Sequence, residues 1–108
     1  MKFRSIFAVL LLVSPLAMAS EKPEFEITIE NHKFSPAEIT VPANTRVTIK
    51  IINKDNSFEE FHSDSLRREK VVGANSSGVV NIGPLKPGTY PFMGEFHAKT
   101  AQGRVIAK

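Results

Sequence analysis

Apolar and polar side chains alternate along Phe25-Glu26-Ile27-Thr28-Ile29-Glu30 and again along Val47-Thr48-Ile49-Lys50-Ile51. A period of two marks a strand with one face buried, because successive side chains of an extended chain point to opposite sides. Shorter extended pieces follow at Ile39-Thr40-Val41, Val71-Val72, Gly78 to Ile82, Thr89 to Phe92 and Arg104 to Ala107. Turn formers separate them: Pro42-Ala43-Asn44, the polar stretch Asn53-Lys54-Asp55-Asn56-Ser57, and Pro84, Pro87 and Gly88. No long window repeats with helical period. The best helical candidate, Ser63 to Lys70, holds about two turns at most. Short strands with regularly spaced turns predict an all-β fold, an antiparallel sandwich of about seven strands. Pro91 has no N–H to give to a ladder, so it is expected at an edge or a bulge.

The first nineteen residues stand outside that pattern. Lys2 and Arg4 make a short positive region, Ile6 to Val13 is almost continuously apolar, and Ala17-Met18-Ala19 fits the small-x-small cleavage rule. The apolar run is too short for a stable membrane anchor. Residues 1–19 are therefore expected to be a cleaved signal peptide, residues 20–108 a single exported domain, and the compartment a bacterial periplasm. Removing the leader takes two of the 14 Lys and Arg and none of the 11 Asp and Glu, which leaves a side-chain balance of +1. Such a domain has no electrostatic footprint for nucleic acid or a membrane surface.

There is no cysteine. Disulfides, zinc fingers, iron–sulfur ligation, thiol catalysis and a blue copper centre, which needs a thiolate, are excluded together. The remaining chemistry lies in His32, His62 and His97 and in two polar clusters, Phe58-Glu59-Glu60-Phe61-His62-Ser63-Asp64 and Gly94-Glu95-Phe96-His97. Imidazole with carboxylate is a ligand set for Cu(II), Zn(II) or iron. Strand alternation should turn only one of Glu59 and Glu60 inward, and His62, next to an inward Phe61, should face out. Met93 offers a soft thioether or core packing. Arg67-Arg68-Glu69-Lys70 reads as a solvated charged turn. His62, Ser63 and Asp64 are neighbours in sequence, whereas triads are assembled across space. Gly83 and Gly88 are turn glycines beside prolines, not a phosphate loop.

The C-terminal segment Tyr90-Pro91-Phe92-Met93-Gly94-Glu95-Phe96-His97, followed by Gly103-Arg104-Val105-Ile106, resembles the last two strands of the cupredoxin family. Those proteins carry Tyr-x-Phe-x-Cys, then a His three residues after the Cys, then a Met, a Gly and a closing strand. Tyr90, Phe92, His97 and Gly103 match. Gly94 stands where the Cys would be, and Ala101 and Gln102 occupy the region of the Met. Phe34-Ser35-Pro36, Ile39-Thr40-Val41-Pro42-Ala43 and Asn53-Lys54-Asp55 look like the opening strands of the same fold. Glu59 holds the position of the first His ligand. The chain is also similar to a Cys-less subgroup, the cupredoxin component of bacterial ferrous-iron uptake systems. That likeness rests on Glu59-Glu60-Phe61, Arg68-Glu69-Lys70-Val71, Gly83-Pro84-Leu85, Gly94-Glu95-Phe96-His97 and His32. His62 and Met93 depart from that subgroup, which carries an acidic and an aromatic residue there.

The resemblance implies a cupredoxin-like Greek-key sandwich with a metal site of His32, Glu59, Glu95 and His97. His32 and His97 should lie at one end of the fold, with Glu59 entering from a loop between the middle strands. The expected ion is Cu(II) in a non-blue site, with iron as the alternative. The expected role is a periplasmic accessory to iron or copper transport, acting with a membrane permease or another metal-handling protein, with assistance to Fe(II) oxidation within its reach. A homodimer is compatible with so few ligands per chain. Two other readings stay open: a metal-free sandwich used as an interaction module, and an electron carrier, which the missing Cys disfavours.

Overall fold

The computed structural model describes residues 22–108, so the leader read over residues 1–19 lies outside the described residues. The strands are β1 (Glu24–Glu30), β2 (Lys33–Ser35), β3 (Glu38–Val41), β4 (Val47–Asn53), β5 (Glu59–Ser63), β6 (Arg68–Val72), β7 (Ser77–Ile82), β8 (Gly88–Gly94) and β9 (Gln102–Ala107). One turn of 3-10 helix, Glu95–His97, follows β8. Two sheets face each other, one ordered β2-β1-β4-β7 and the other β3-β9-β8-β5-β6. The expected all-β sandwich is what forms.

Alternation does the sorting. Val47, Ile49, Ile51 and Asn53 of β4 are buried, while Thr48, Lys50 and Ile52 between them are partly exposed. Ile27 and Ile29 join them from β1, and Phe61, Phe92 and Val105 answer from the opposite sheet. At the centre the Phe61 and Phe92 rings lie 4.9 Å apart, and Phe34 meets Phe92 edge-on at 5.0 Å. Each buried ring removes apolar area worth about 1.5–3 kcal/mol from water. Gly103 makes room for this cluster: a Cβ there would sit 2.5 Å from a Phe92 ring carbon and 2.6 Å from the Ala37 carbonyl oxygen.

Four expectations are corrected. There are nine strands among the described residues rather than about seven; β2 and β5 are the additions. The sandwich is mixed rather than antiparallel, because β1 runs parallel to β4 and β3 parallel to β9. Between β1 and β4 the chain returns along β2 and passes through β3 in the other sheet, so it re-enters beside β1 in the same direction, as a parallel crossover requires. Ser63 to Lys70 is no helix but a hairpin. The Arg67 N–H reaches the Asp64 carbonyl at 3.1 Å, Ser63 Oγ accepts the Leu66 N–H at 3.1 Å, and Arg67 takes a positive φ of 56° before β6 begins.

Pro91 lies in a central strand, not at an edge or a bulge. Its carbonyl accepts Ser63 Oγ at 2.7 Å, so the carbonyl, and with it the ring nitrogen of the same residue, faces β5. The β5–β8 rungs run through Met93 and Gly94 only. The missing N–H therefore costs no rung with β9.

Candidate metal centre

Three separate segments meet at one end of the sandwich. The first is the two-residue turn between β1 and β2, where Glu30 pairs with Lys33. Its central residues, Asn31 and His32, have φ of 56° and 57°, as a primed hairpin turn demands. Asn tolerates that region better than most residues; His is a rarer occupant. Asp55 supports the strain. Its carboxylate accepts the Asn31 N–H at 2.8 Å and the His32 N–H at 3.0 Å. The His32 N–H is the main cause holding the Asp55 carboxyl below its ordinary pKa, against the opposing pull of burial.

Asp55 is placed in turn by Asn53, which is buried. Asn53 Oδ1 accepts the Asp55 N–H at 3.0 Å, and its amide nitrogen lies 2.9, 3.2 and 3.1 Å from the main-chain oxygens of Ser57, Val72 and Gly73. The sequence reading missed this clamp. Its signal was present: Asn-x-Asp after an alternating strand is a side-chain-to-backbone turn signature.

The second segment is β5, a strand where a loop was expected. Glu59, Phe61 and Ser63 point inward, and Glu60 and His62 outward. The Glu59 side chain is only 2% exposed. Its Oε1 accepts the Phe96 N–H at 2.9 Å and the Glu60 N–H at 3.0 Å. Oε2 lies 2.7 Å from His97 Nδ1. A carboxylate taking two main-chain donors is an acceptor, so Nδ1 carries the hydrogen in this contact.

The third segment is the 3-10 turn after β8. It holds Glu95 and His97 two residues apart in a helix of about three residues per turn, so their side chains leave in different directions. Only His97 reaches Glu59. Its ring stacks on that of His32, centroids 3.6 Å apart and planes 12° from parallel. His32, Glu59 and His97 each offer a ligand atom, all within 4.8 Å of one another. Glu95 is exposed and outside that group. Its charge acts instead on His62, which faces outward. There the Asp64 carboxylate, 2.8 Å from Nε2, is the chief cause of a raised pKa, with Glu95 and Glu69 adding to it.

Gly94 ties these pieces together. Its φ of −91° and ψ of 108° are open to any residue, so the backbone does not call for glycine. Space does. A Cβ at Gly94 would sit 2.7 Å from Glu59 Cδ, 2.8 Å from Glu59 Oε2 and 2.7 Å from Ala101 Cβ. The carboxylate fills the volume that a side chain at position 94 would take. Two imidazoles and a carboxylate suit Cu(II), Zn(II) or iron, and this group among the described residues includes no sulfur donor. The near-parallel rings do not aim their nitrogens at a common point, so ligation by both needs one ring to turn. His32, on its hairpin and 43% exposed, is freer than His97, which Glu59 holds.

The model of the cupredoxin-like domain family matches residues 4–107. An uncharacterized protein of Rickettsia prowazekii is 46% identical over 83 residues, which are 77% of this chain and 66% of that protein, just under two thirds of its length. Among solved structures, the metal-binding domain of the Streptococcus pneumoniae Cu(I)-exporting P-type ATPase CopA, solved with Cu(I), superposes with a TM-score of 0.70 at 17% identity. That match covers 79% of this chain and 84% of that one. Auracyanin A, a blue copper protein of Chloroflexus aurantiacus, gives a TM-score of 0.69 at 17% identity, covering 82% of this chain and all of its own. Amicyanin of Paracoccus versutus gives 0.63 at 16%, covering 85% and 88%.

Proposed function

From the premise that this chain belongs to the cupredoxin-like domain family, we propose that it is an exported metal-binding protein whose His32, Glu59 and His97 hold Cu(II) in a non-blue nitrogen–oxygen site. Iron is the alternative ion. The observation that carries this reading is the exchange at the centre of the site: position 94 has no side chain, and the Glu59 carboxylate stands in the space it leaves. His32 and His97 each bring a ligand atom within 4.8 Å of one on that carboxylate.

Each residue has a separate task. Glu59 supplies a negative donor at the bottom of the site and is held by two main-chain N–H groups. His97, oriented by the Glu59 contact at Nδ1, would offer an imidazole nitrogen to the ion. His32 closes over from the solvent side. A bound Cu(II) would contribute Lewis acidity and one-electron redox capacity.

The wider role we propose is a periplasmic accessory to iron or copper transport, similar to the cupredoxin component of ferrous-iron uptake systems, which passes metal to a membrane permease or another metal-handling protein. Phe58 and Phe96, chain neighbours of Glu59 and His97, are 60% and 50% exposed. Apolar side chains in that position suit docking. They also favour the second reading, an interaction module without metal.

The test is a Cu(II) titration of the 108-residue chain by calorimetry, with EPR on the bound copper, run beside His97→Ala. The reading requires one saturable equivalent with nitrogen couplings, lost in the variant. Absence of saturable binding, or binding indifferent to His97, would refute it and leave the interaction module.

A further inference from the structure

Behind Glu59 the next residue of β5 faces the other way, into a second group of donors. We infer that Glu60, His62 and Glu69 form a second cation site on the outer face of the five-stranded sheet, fitted to a first-row divalent ion such as Zn(II) or Fe(II). This goes beyond the proposed function and does not depend on it.

The strand geometry assembles the group. Glu60 and His62 are two residues apart on β5 and share its outer face. Glu69 lies directly across from His62 on β6, and Met93 across from it on β8. Ligand atoms of Glu60, His62 and Glu69 lie within 4.8 Å of one another.

The telling atom is His62 Nδ1. It is closed off from solvent and has no hydrogen-bond partner. Glu69 Oε2 lies 3.4 Å away without hydrogen-bond alignment. Nε2, on the far side of the ring, sits 2.8 Å from Asp64 Oδ1. A carboxylate can only accept there, so Nε2 carries a hydrogen, and in the neutral ring Nδ1 presents a bare lone pair on the side where Glu69 lies. Among the described residues no donor is placed against that lone pair, and a cation could take it. Histidines that ligate metals commonly give their other N–H to a carboxylate, which fixes the tautomer and raises the basicity of the ligating nitrogen. Asp64 is therefore a positioning residue. Of the arginines on the adjoining turn, Arg68 is turned away, donating to the carbonyl oxygens of Asn81 and Arg67. Glu69 is 65% exposed, which leaves the solvent side open for water to complete the coordination.

One imidazole with carboxylate oxygens is a harder donor set than two imidazoles with a carboxylate, and so discriminates less in favour of copper. The two groups point to opposite faces of β5 from adjacent residues, Glu59 and Glu60, so an ion at one need not exclude an ion at the other.

The experiment is a Zn(II) titration of the 108-residue chain by calorimetry at mildly alkaline pH, with the His62 ring nitrogens followed by NMR. The His97→Ala variant, which disables the inner group, should keep one saturable equivalent. Adding His62→Ala should abolish it, Glu69→Gln should weaken it at least tenfold, and Asp64→Ala should weaken it about 10–100-fold. Glu69 is exposed, so its replacement does not endanger the fold. On addition of Zn(II) to wild type the Nδ1 resonance of His62 should shift while Nε2 keeps its hydrogen. The inference is overturned if His97→Ala binds no Zn(II), if binding ignores both His62→Ala and Glu69→Gln, or if Nδ1 is unmoved by the ion.

Discussion

Gly94→Ala adds one methyl group where the Glu59 carboxylate packs against the β8 backbone. The backbone alone would welcome it: at φ −91° and ψ 108° an alanine is unstrained, and Gly→Ala at such a position stabilises by about 0.4–1 kcal/mol through the unfolded chain. The surroundings oppose it. Carbon atoms prefer separations of about 3.5–4.0 Å, and the new Cβ would meet Glu59 Cδ and Ala101 Cβ at 2.7 Å each. Ala101 is fully buried and cannot retreat. Glu59 can, but only by breaking its contacts to Phe96, Glu60 and His97. Overpacking of this kind costs about 1–3 kcal/mol, and a lost hydrogen bond to a charged group about 1.5–3 kcal/mol. After the backbone gain is subtracted, we expect a net loss of about 1.5–5.5 kcal/mol, or at least roughly 6 °C in Tm for a domain of this size. With no Trp and a single Tyr, the assay is urea denaturation followed by circular dichroism. The cycle is closed with Glu59→Ala. In that background two of the three close contacts are gone, so Gly94→Ala should cost at least about 1 kcal/mol less, within the range of coupling for touching residues. A neutral or stabilising Gly94→Ala, or the same cost in both backgrounds, would refute the claim that the carboxylate holds the space at position 94.

The same geometry predicts that Gly94→Cys alone gives no copper–thiolate absorption, whereas Gly94→Cys with Glu59→Ala places a thiolate beside two imidazoles and turns the Cu(II) form strongly coloured; visible spectroscopy decides. Asp55→Ala leaves the N–H groups of Asn31 and His32 to water, and should cost about 1–2 kcal/mol in urea denaturation while speeding amide exchange at both residues. Because the folded pKa of Asp55 is depressed, its contribution is present above the carboxylate's unfolded pKa and is lost as pH falls through the folded value; wild type should lose stability over that acid window and Asp55→Ala lose less. Arg67→Gly relieves a positive φ costing about 1–2 kcal/mol against a glycine entropy penalty of about 0.5–1 kcal/mol, so a gain of about 0.5–1 kcal/mol is expected, read as a higher urea midpoint at unchanged m-value.

The strands legible in the sequence were those whose inward positions are all apolar. β4 is the clearest, with Val47, Ile49 and Ile51 inward. β5 obeys the same alternation, but its inward residues are Glu59, Phe61 and Ser63, so two of three carry the wrong polarity for a hydrophobic pattern to reveal. β2 has a single inward residue, Phe34. In the 63–70 stretch Leu66 is the one buried apolar residue, too little to mark a hairpin. The parallel pairings of β1 with β4 and β3 with β9 are set by how the chain crosses between sheets, which no local period encodes. The site shows the same division. The meeting of His32, Glu59 and His97 was legible through family likeness; the outward turn of Glu95 was not, because it depends on a single helical turn after β8.

The residue that hid β5 is the one that gives the site its chemistry. A buried carboxylate at an inward strand position costs stability unless its oxygens are satisfied. Here they take two main-chain N–H groups and a histidine. Departure from the apolar pattern, an absent side chain at position 94 and a strained turn carrying His32 all fall within one cluster of contacts. Local rules are expected to fail at functional or strained sites rather than in the packed core. That coincidence argues for a binding site at this end of the sandwich more strongly than any one of the three residues does.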